Sequence, residues 1–224
     1  MPRAIILAVL WLLASPPPAE ANVLCRWIGV CLYLSRGFDI TVVDGESGQP
    51  LPGVYAWAEW VQYAAHGTNG PLMIQEATSG ADGRLTFPAW GPTRGSGAGL
   101  DLGSDPAVIL FKSGYATLLV QNDVPLGADH LAAFRTFMRS GQTLRLERFA
   151  GPAAERVRQL KILAFSPYMG RVSAGQGAQF RDPYLKRLDL VEAELAGLSQ
   201  DSIEVTEFRA SIKLDRRFWS GERR

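Results

Sequence analysis

The chain of 224 residues is long enough to bury a sizeable core without disulfides, as one domain with an appendage or as two small ones. Its 23 basic and 22 acidic side chains leave a formal charge of +1, which excludes the positive excess that non-specific nucleic-acid binding needs. A hydrophobic content of 47% with 20% charged residues excludes a disordered chain.

Residues 1–21 read as a signal peptide. Arg3 gives a short positive region, 4–14 (AIILAVLWLLA) is unbroken apolar sequence, and SPPPAEA ends in an A-x-A pattern before Asn22. An uncleaved anchor is the alternative, and membrane contact is expected only through it. The apolar run is about half of the roughly 20 residues that cross a bilayer. Export to the periplasm or cell envelope follows. Residues 22–37 form a second apolar segment, read as a first strand or as part of a longer signal. It holds Cys25 and Cys31, the only cysteines. In an oxidising compartment the two close a small loop; otherwise they pack as buried thiols. Two thiols without nearby histidines fall short of a structural zinc site.

From Phe38 to residue 149 the pattern changes to short β-rich runs separated by Gly, Pro, Asn and Asp, the mark of an all-β domain. Strands are expected at 38–44, 54–61, 73–78, 84–88, 107–112, 116–122 and 143–148, about seven in all, a number typical of sandwiches. In the second run Tyr55, Trp57 and Glu59 point one way and Val54, Ala56, Ala58 and Trp60 the other. Pro50 and Pro52 suit a connection and not a central strand. The Asp82-Gly83 step suits a tight hairpin turn needing positive φ. Lys112 ends an apolar strand, Gly114 permits a reversal, and Tyr115 is expected to lay its ring on the sandwich edge with its hydroxyl in water.

Three segments in this order, VVDGESGQPLPGV (42–54), TSGADGRLTFP (78–88) and VILFKSGYATLLV (108–120), together resemble the carboxypeptidase regulatory-like, or prealbumin-like, domains of bacterial envelope proteins. The resemblance covers about half the chain. It implies a mainly β fold, a seven-stranded prealbumin-like (Ig-like) sandwich that serves as an accessory or binding module without catalytic residues or cofactors of its own. The metallopeptidase domain that such modules accompany is absent from this sequence, which has only two histidines and no zinc-binding helix. Hydroxyisourate hydrolases share the transthyretin-like fold, but their C-terminal Y-R-G-S close is missing here.

Residues 150–224 read as a helical segment. Val157, Leu160, Leu163 and Ala164 recur at helical spacing after Pro152, and Leu185, Leu188, Val191 and Leu195 repeat the pattern over 183–198. Residues 202–215 fit strand or helix and are taken as an extension of the helical layer. The many basic residues here, Arg156, Arg187, Lys213 and Arg217 among them, are mixed with acidic ones and read as a solvated face. A membrane-surface or anionic-glycan contact is the alternative.

Catalytic chemistry would have to use His66 or His130, the only histidines, with a carboxylate such as Asp129; no G-x-S-x-G elbow or H-E-x-x-H occurs. GSGAG at 95–99 lacks the Lys and Ser or Thr of a phosphate-binding loop. Trp57, Trp60, Tyr63, Phe87 and Trp90 cluster on neighbouring strands. Trp57, Trp60, Tyr63 and Trp90 are the candidate binding surface for a sugar or protein, with packing beneath the C-terminal helices as the alternative. The expectation is an exported, non-catalytic module of the cell envelope that contacts a protein or glycan partner, without cofactor or metal. An unrecognised hydrolase using His66 or His130 is the second reading.

Overall fold

The computed structural model describes residues 32–64, 67–94, 102–122, 134–165, 178–199 and 202–221. Within them lie eleven strands: β1 (Leu32–Ser35), β2 (Phe38–Asp44), β3 (Tyr55–Ala64), β4 (Gly67–Thr78), β5 (Arg84–Phe87), β6 (Trp90–Arg94), β7 (Leu102–Gly103), β8 (Ala107–Phe111), β9 (Leu118–Val120), β10 (Phe134–Arg135) and β11 (Thr143–Leu146). Three α-helices follow: α1 (Ala153–Ala164), α2 (Arg181–Ala196) and α3 (Ile203–Ser220). Each of the seven expected runs holds a strand. The count of seven is corrected by β6, β7 and β10, short segments such as WGPTR and FR that carry no apolar alternation to announce them, and by β1, which falls in the segment 22–37 read as a first strand or as part of a longer signal. The ambiguous segment from 202 is the longest helix among the described residues.

The strands form two facing layers. One is the sheet β4-β3-β8-β9, with β7 added to the far end of β3. In the other, β2 lies between β5 (antiparallel) and β11 (parallel), and β1 lies between β6 (antiparallel) and β10 (parallel). The second layer is thus one pairing pattern interrupted where β1 gives way to β2 and β5 to β6. Gly37 sits at that break, where a Cβ would come within 3.0 Å of the Ala89 nitrogen. Phe38, Ile40, Val42, Leu85, Phe87 and Leu146 from the second layer meet Ala56, Ala58, Trp60, Val108 and Leu110 from the first to fill the sandwich.

A second core lies on the opposite face of β3 and β8, where Tyr55, Trp57, Ile109 and Phe111 pack against Val157, Leu160, Leu163, Tyr184, Leu188, Val191, Val205, Phe208 and Ile212. The order of layers is sheet, sheet, helices. The period-2 alternation of β3 produces it, because each of its faces is apolar and each is covered.

The three segments of the resemblance converge at one end of the sandwich. Asp44 ends β2 and accepts a hydrogen bond at Oδ2 from the Tyr115 hydroxyl at 2.7 Å. Gly83, at φ +72°, receives the Val42 amide on its carbonyl at 2.8 Å, and a Cβ there would strike the Val42 oxygen at 2.3 Å. Lys112 donates to the Pro52 carbonyl at 2.8 Å. Two expectations are corrected here. The Tyr115 hydroxyl is not in water but spent on Asp44, with Tyr115 buried beneath Arg148. The turn at Asp82-Gly83 is not a hairpin: β4 pairs with β3 and β5 with β2, so the turn carries the chain across from one layer to the other.

Candidate functional site

Trp57 and Trp60 are each fully buried, so neither offers a stacking surface, and the binding-surface assignment is corrected for both. Three residues apart on one strand, they face opposite sides of a sheet whose two faces are both covered. Trp60 enters the sandwich and meets Trp90 edge-on, ring centroids 5.4 Å apart. Phe87 is buried there as well, stacked on Phe38. Tyr63 and Trp90 are both half-buried, Trp90 against this core. Trp57 lies beneath the helices, where its ring packs against Tyr184.

Around Trp57 the structure gathers polar groups, among them Arg187, which the sequence reads as part of a solvated face. Arg187, on α2, is 0% exposed; its guanidinium lies 4.2 Å from the centroid of Trp57 and 4.6 Å from that of Tyr184, and it donates to the Ala164 carbonyl at 3.0 Å. The Trp57 indole donates to Oε2 of the buried Glu59 at 3.1 Å. Burial, reinforced by the charge of Glu59, pushes the Tyr184 hydroxyl well above the usual phenol range. Nearby, Tyr55 donates to Glu76 at 2.6 Å, and Lys186 stands 3.2 Å from the same carboxylate oxygen. Arg156 of α1 is likewise buried, pairing with Glu194 at 2.8 Å and donating to the Tyr115 carbonyl. Arg156 and Arg187 therefore bolt the helices to the sandwich. A planar guanidinium that stacks on rings while filling several acceptors suits that task better than an ammonium. The one cue in the sequence was position: Arg187 lies beside Leu188 on the buried stripe.

The exposed chemistry lies on α3. Val205, Phe208, Ile212 and Trp219 face the core, as one amphipathic stripe requires. On the opposite side Leu214 (61% exposed) and Phe218 (65%), one turn apart, form a second apolar stripe in solvent, while Ile203 (72%) stands three turns away with the exposed Glu207 between. Beside them, between α2 and α3, runs a groove of ≈ 330 Å³ lined by Leu185, Lys213, Arg216, Arg217 and Ser220. A smaller hollow of ≈ 270 Å³ continues it past Glu192, Leu195, Ala196, Arg209 and Lys213. Arg216 is held by Asp189 at 2.6 Å and Glu192 at 2.9 Å, and these partners raise its affinity for its proton. Lys213 and Arg217 are exposed and make no ion pair among the described residues. This corner joins apolar side chains to uncommitted positive charge.

Cys25, Cys31, His66, Asp129 and His130 lie outside the described residues, as do the signal-peptide segment and the GSGAG loop. No group of His, Cys, Asp and Glu able to hold a metal occurs among the described residues. No helix there is long and apolar enough to cross a membrane.

No protein-family model matches the chain, and no curated protein matches it. Among solved structures, the full-length major pilin SpaD from Corynebacterium diphtheriae is similar over 50% of this chain and 30% of its own, at 16% identity and a TM-score of 0.28. The group B streptococcus pilus 2b backbone protein is similar over 51% of this chain and 41% of its own, at 17% identity and a TM-score of 0.22. The chain thus spans less than half the length of either protein.

Proposed function

We propose that this chain is an exported, non-catalytic accessory or binding module of the cell envelope, built on a carboxypeptidase regulatory-like sandwich and contacting a protein or glycan partner. The observation that carries the reading is the outer corner of α3, where Leu214 and Phe218 stand in solvent beside Lys213 and Arg217. A helix in a folded protein ordinarily turns polar residues outward, so apolar groups placed opposite its buried face mark a contact surface. Leu214 and Phe218 favour a partner with apolar area over a free glycan. Export rests on the apolar start of the chain and the A-x-A pattern before Asn22.

Cross-linking of C-terminally tagged protein in native envelope fractions, read by mass spectrometry for both partner and N-terminal peptide, tests this reading. A partner recovered with wild type and lost with Leu214→Ser/Phe218→Ser, on a chain beginning at Asn22, is the expected outcome. An N-terminal peptide starting at Met1 or Pro2 overturns cleavage. An activity abolished by replacing His66 or His130 in a chain that still folds overturns the non-catalytic reading.

A further inference from the structure

We infer that the C-terminal half of α3 docks on an anionic membrane surface, Phe218 and Leu214 entering the apolar margin of the bilayer and Lys213 and Arg217 meeting its headgroups. The inference rests on the binding-module reading for its contact face and puts a lipid surface there in place of a protein or glycan.

Three observations select this occupant. The apolar stripe is a ridge, lying on the side of α3 opposite Val205, Phe208 and Ile212, so it presents a convex edge to enter a soft surface. The flank facing the groove carries two cations without a counter-ion: Lys213 and Arg217 are exposed and make no ion pair among the described residues, while the carboxylates there, Asp189 and Glu192, are taken up by Arg216, and Asp215 lies on the other flank. The groove between them and Leu185 is ≈ 330 Å³, room for a phosphate-bearing headgroup within reach of Lys213 and Arg217, with Arg216 held at its wall by Asp189 and Glu192. Apolar and cationic groups side by side on one helix face match the order of acyl chain and anionic headgroup in a lipid. Glu204 and Glu207 sit in the first two turns, which tilts the contact toward the C-terminal end and leaves Ile203 outside it.

The test is co-sedimentation of the exported protein with vesicles of phosphatidylcholine alone and of phosphatidylcholine containing a third phosphatidylglycerol. Binding at least tenfold tighter to the anionic vesicles, weakened by raising the salt, is expected, because each cation near such a surface contributes about 1 kcal/mol, roughly a fivefold factor. Lys213→Gln/Arg217→Gln should lower binding to the anionic vesicles by about tenfold or more, and Leu214→Ser/Phe218→Ser should lower it comparably. Both pairs are exposed, and circular dichroism with thermal unfolding verifies that each variant keeps its fold. Equal binding to both vesicle types, or variants that bind as wild type does, overturns the inference. If the vesicles are ignored while the serine variant loses a protein in the envelope cross-linking, the lipid assignment falls and the contact face stands. If neither readout responds to the variants, both fall.

Discussion

Asp44 accepts four hydrogen bonds: from the amides of Glu46 and Ser47 and the Ser47 hydroxyl on one oxygen, and from Tyr115 on the other. Arg148 stands 3.7 Å away. These donors, the Ser47 amide foremost, hold the carboxyl down to about 2 from its ordinary 3.8. Because the folded value is depressed, the stabilisation is fully present above pH 3.8 and disappears as the pH falls toward 2. Denaturant unfolding measured across that window should show the wild type losing stability on acidification, and Asp44→Asn losing less because it starts without the contribution. Tyr115→Phe should flatten the same limb by raising the Asp44 value. A neighbouring position supplies a backbone test: Gly83→Ala places a methyl group against the Val42 oxygen at positive φ, and a loss exceeding 1 kcal/mol in chemical denaturation is expected.

At the scale of elements, β3 governs the architecture. Its alternation, plain in YAWAEW, assigns Trp60 to the sandwich and Trp57 to the helix interface, and each is worth a comparable amount: truncation to alanine should cost about 3–5 kcal/mol at either position. By contrast Leu214→Ser and Phe218→Ser should each alter stability by less than about 1 kcal/mol, since both side chains are mostly in solvent and Phe218 touches the core only through the edge of Trp219. Both contrasts can be read from urea midpoints. The strands with alternating patterns and the stripe of Val157, Leu160 and Leu163 were legible in the sequence because period reports burial on one side. What escaped was partnership. Asp82-Gly83 specifies a reversal with positive φ, and nothing local states whether the strands it joins will pair or part into different layers. Arg156 and Arg187 escaped for a related reason: a charge in an amphipathic segment reads as solvated until the rings and carbonyls that receive it are known from the tertiary fold. The stripe of Leu214 and Phe218 was present as an i, i+4 pair off the main face of α3, and it lay in a segment whose very helicity was ambiguous.

For the whole molecule, the five-stranded sheet depends on cover from both sides. Removing everything after residue 152 would strip Tyr55, Trp57, Ile74, Ile109 and Phe111 of their helical packing and expose a continuous aromatic and aliphatic sheet face. The shortened chain should bind a hydrophobic dye and sediment as aggregates, while a chain ending at Gly221 remains monodisperse. Arg187 should matter at this same scale: Arg187→Ala is expected to loosen the helical layer from the sandwich, seen as fast amide hydrogen exchange across α2 and α3 with β2 and β8 still protected.

The pairing of β11 with β2 carries a further consequence. Thr143 to Leu146 lie beside Thr41 to Asp44 in parallel register. Because both strands run the same way, a pull on the N-terminal end of β2 and the C-terminal end of β11 slides them past one another along their length. The ladder bonds then bear load together instead of parting one after another. Tethered at its two ends and drawn taut, this sandwich would resist extension in shear, with the hydrogen bond from Tyr115 to Asp44 acting as a latch where the ladder stops.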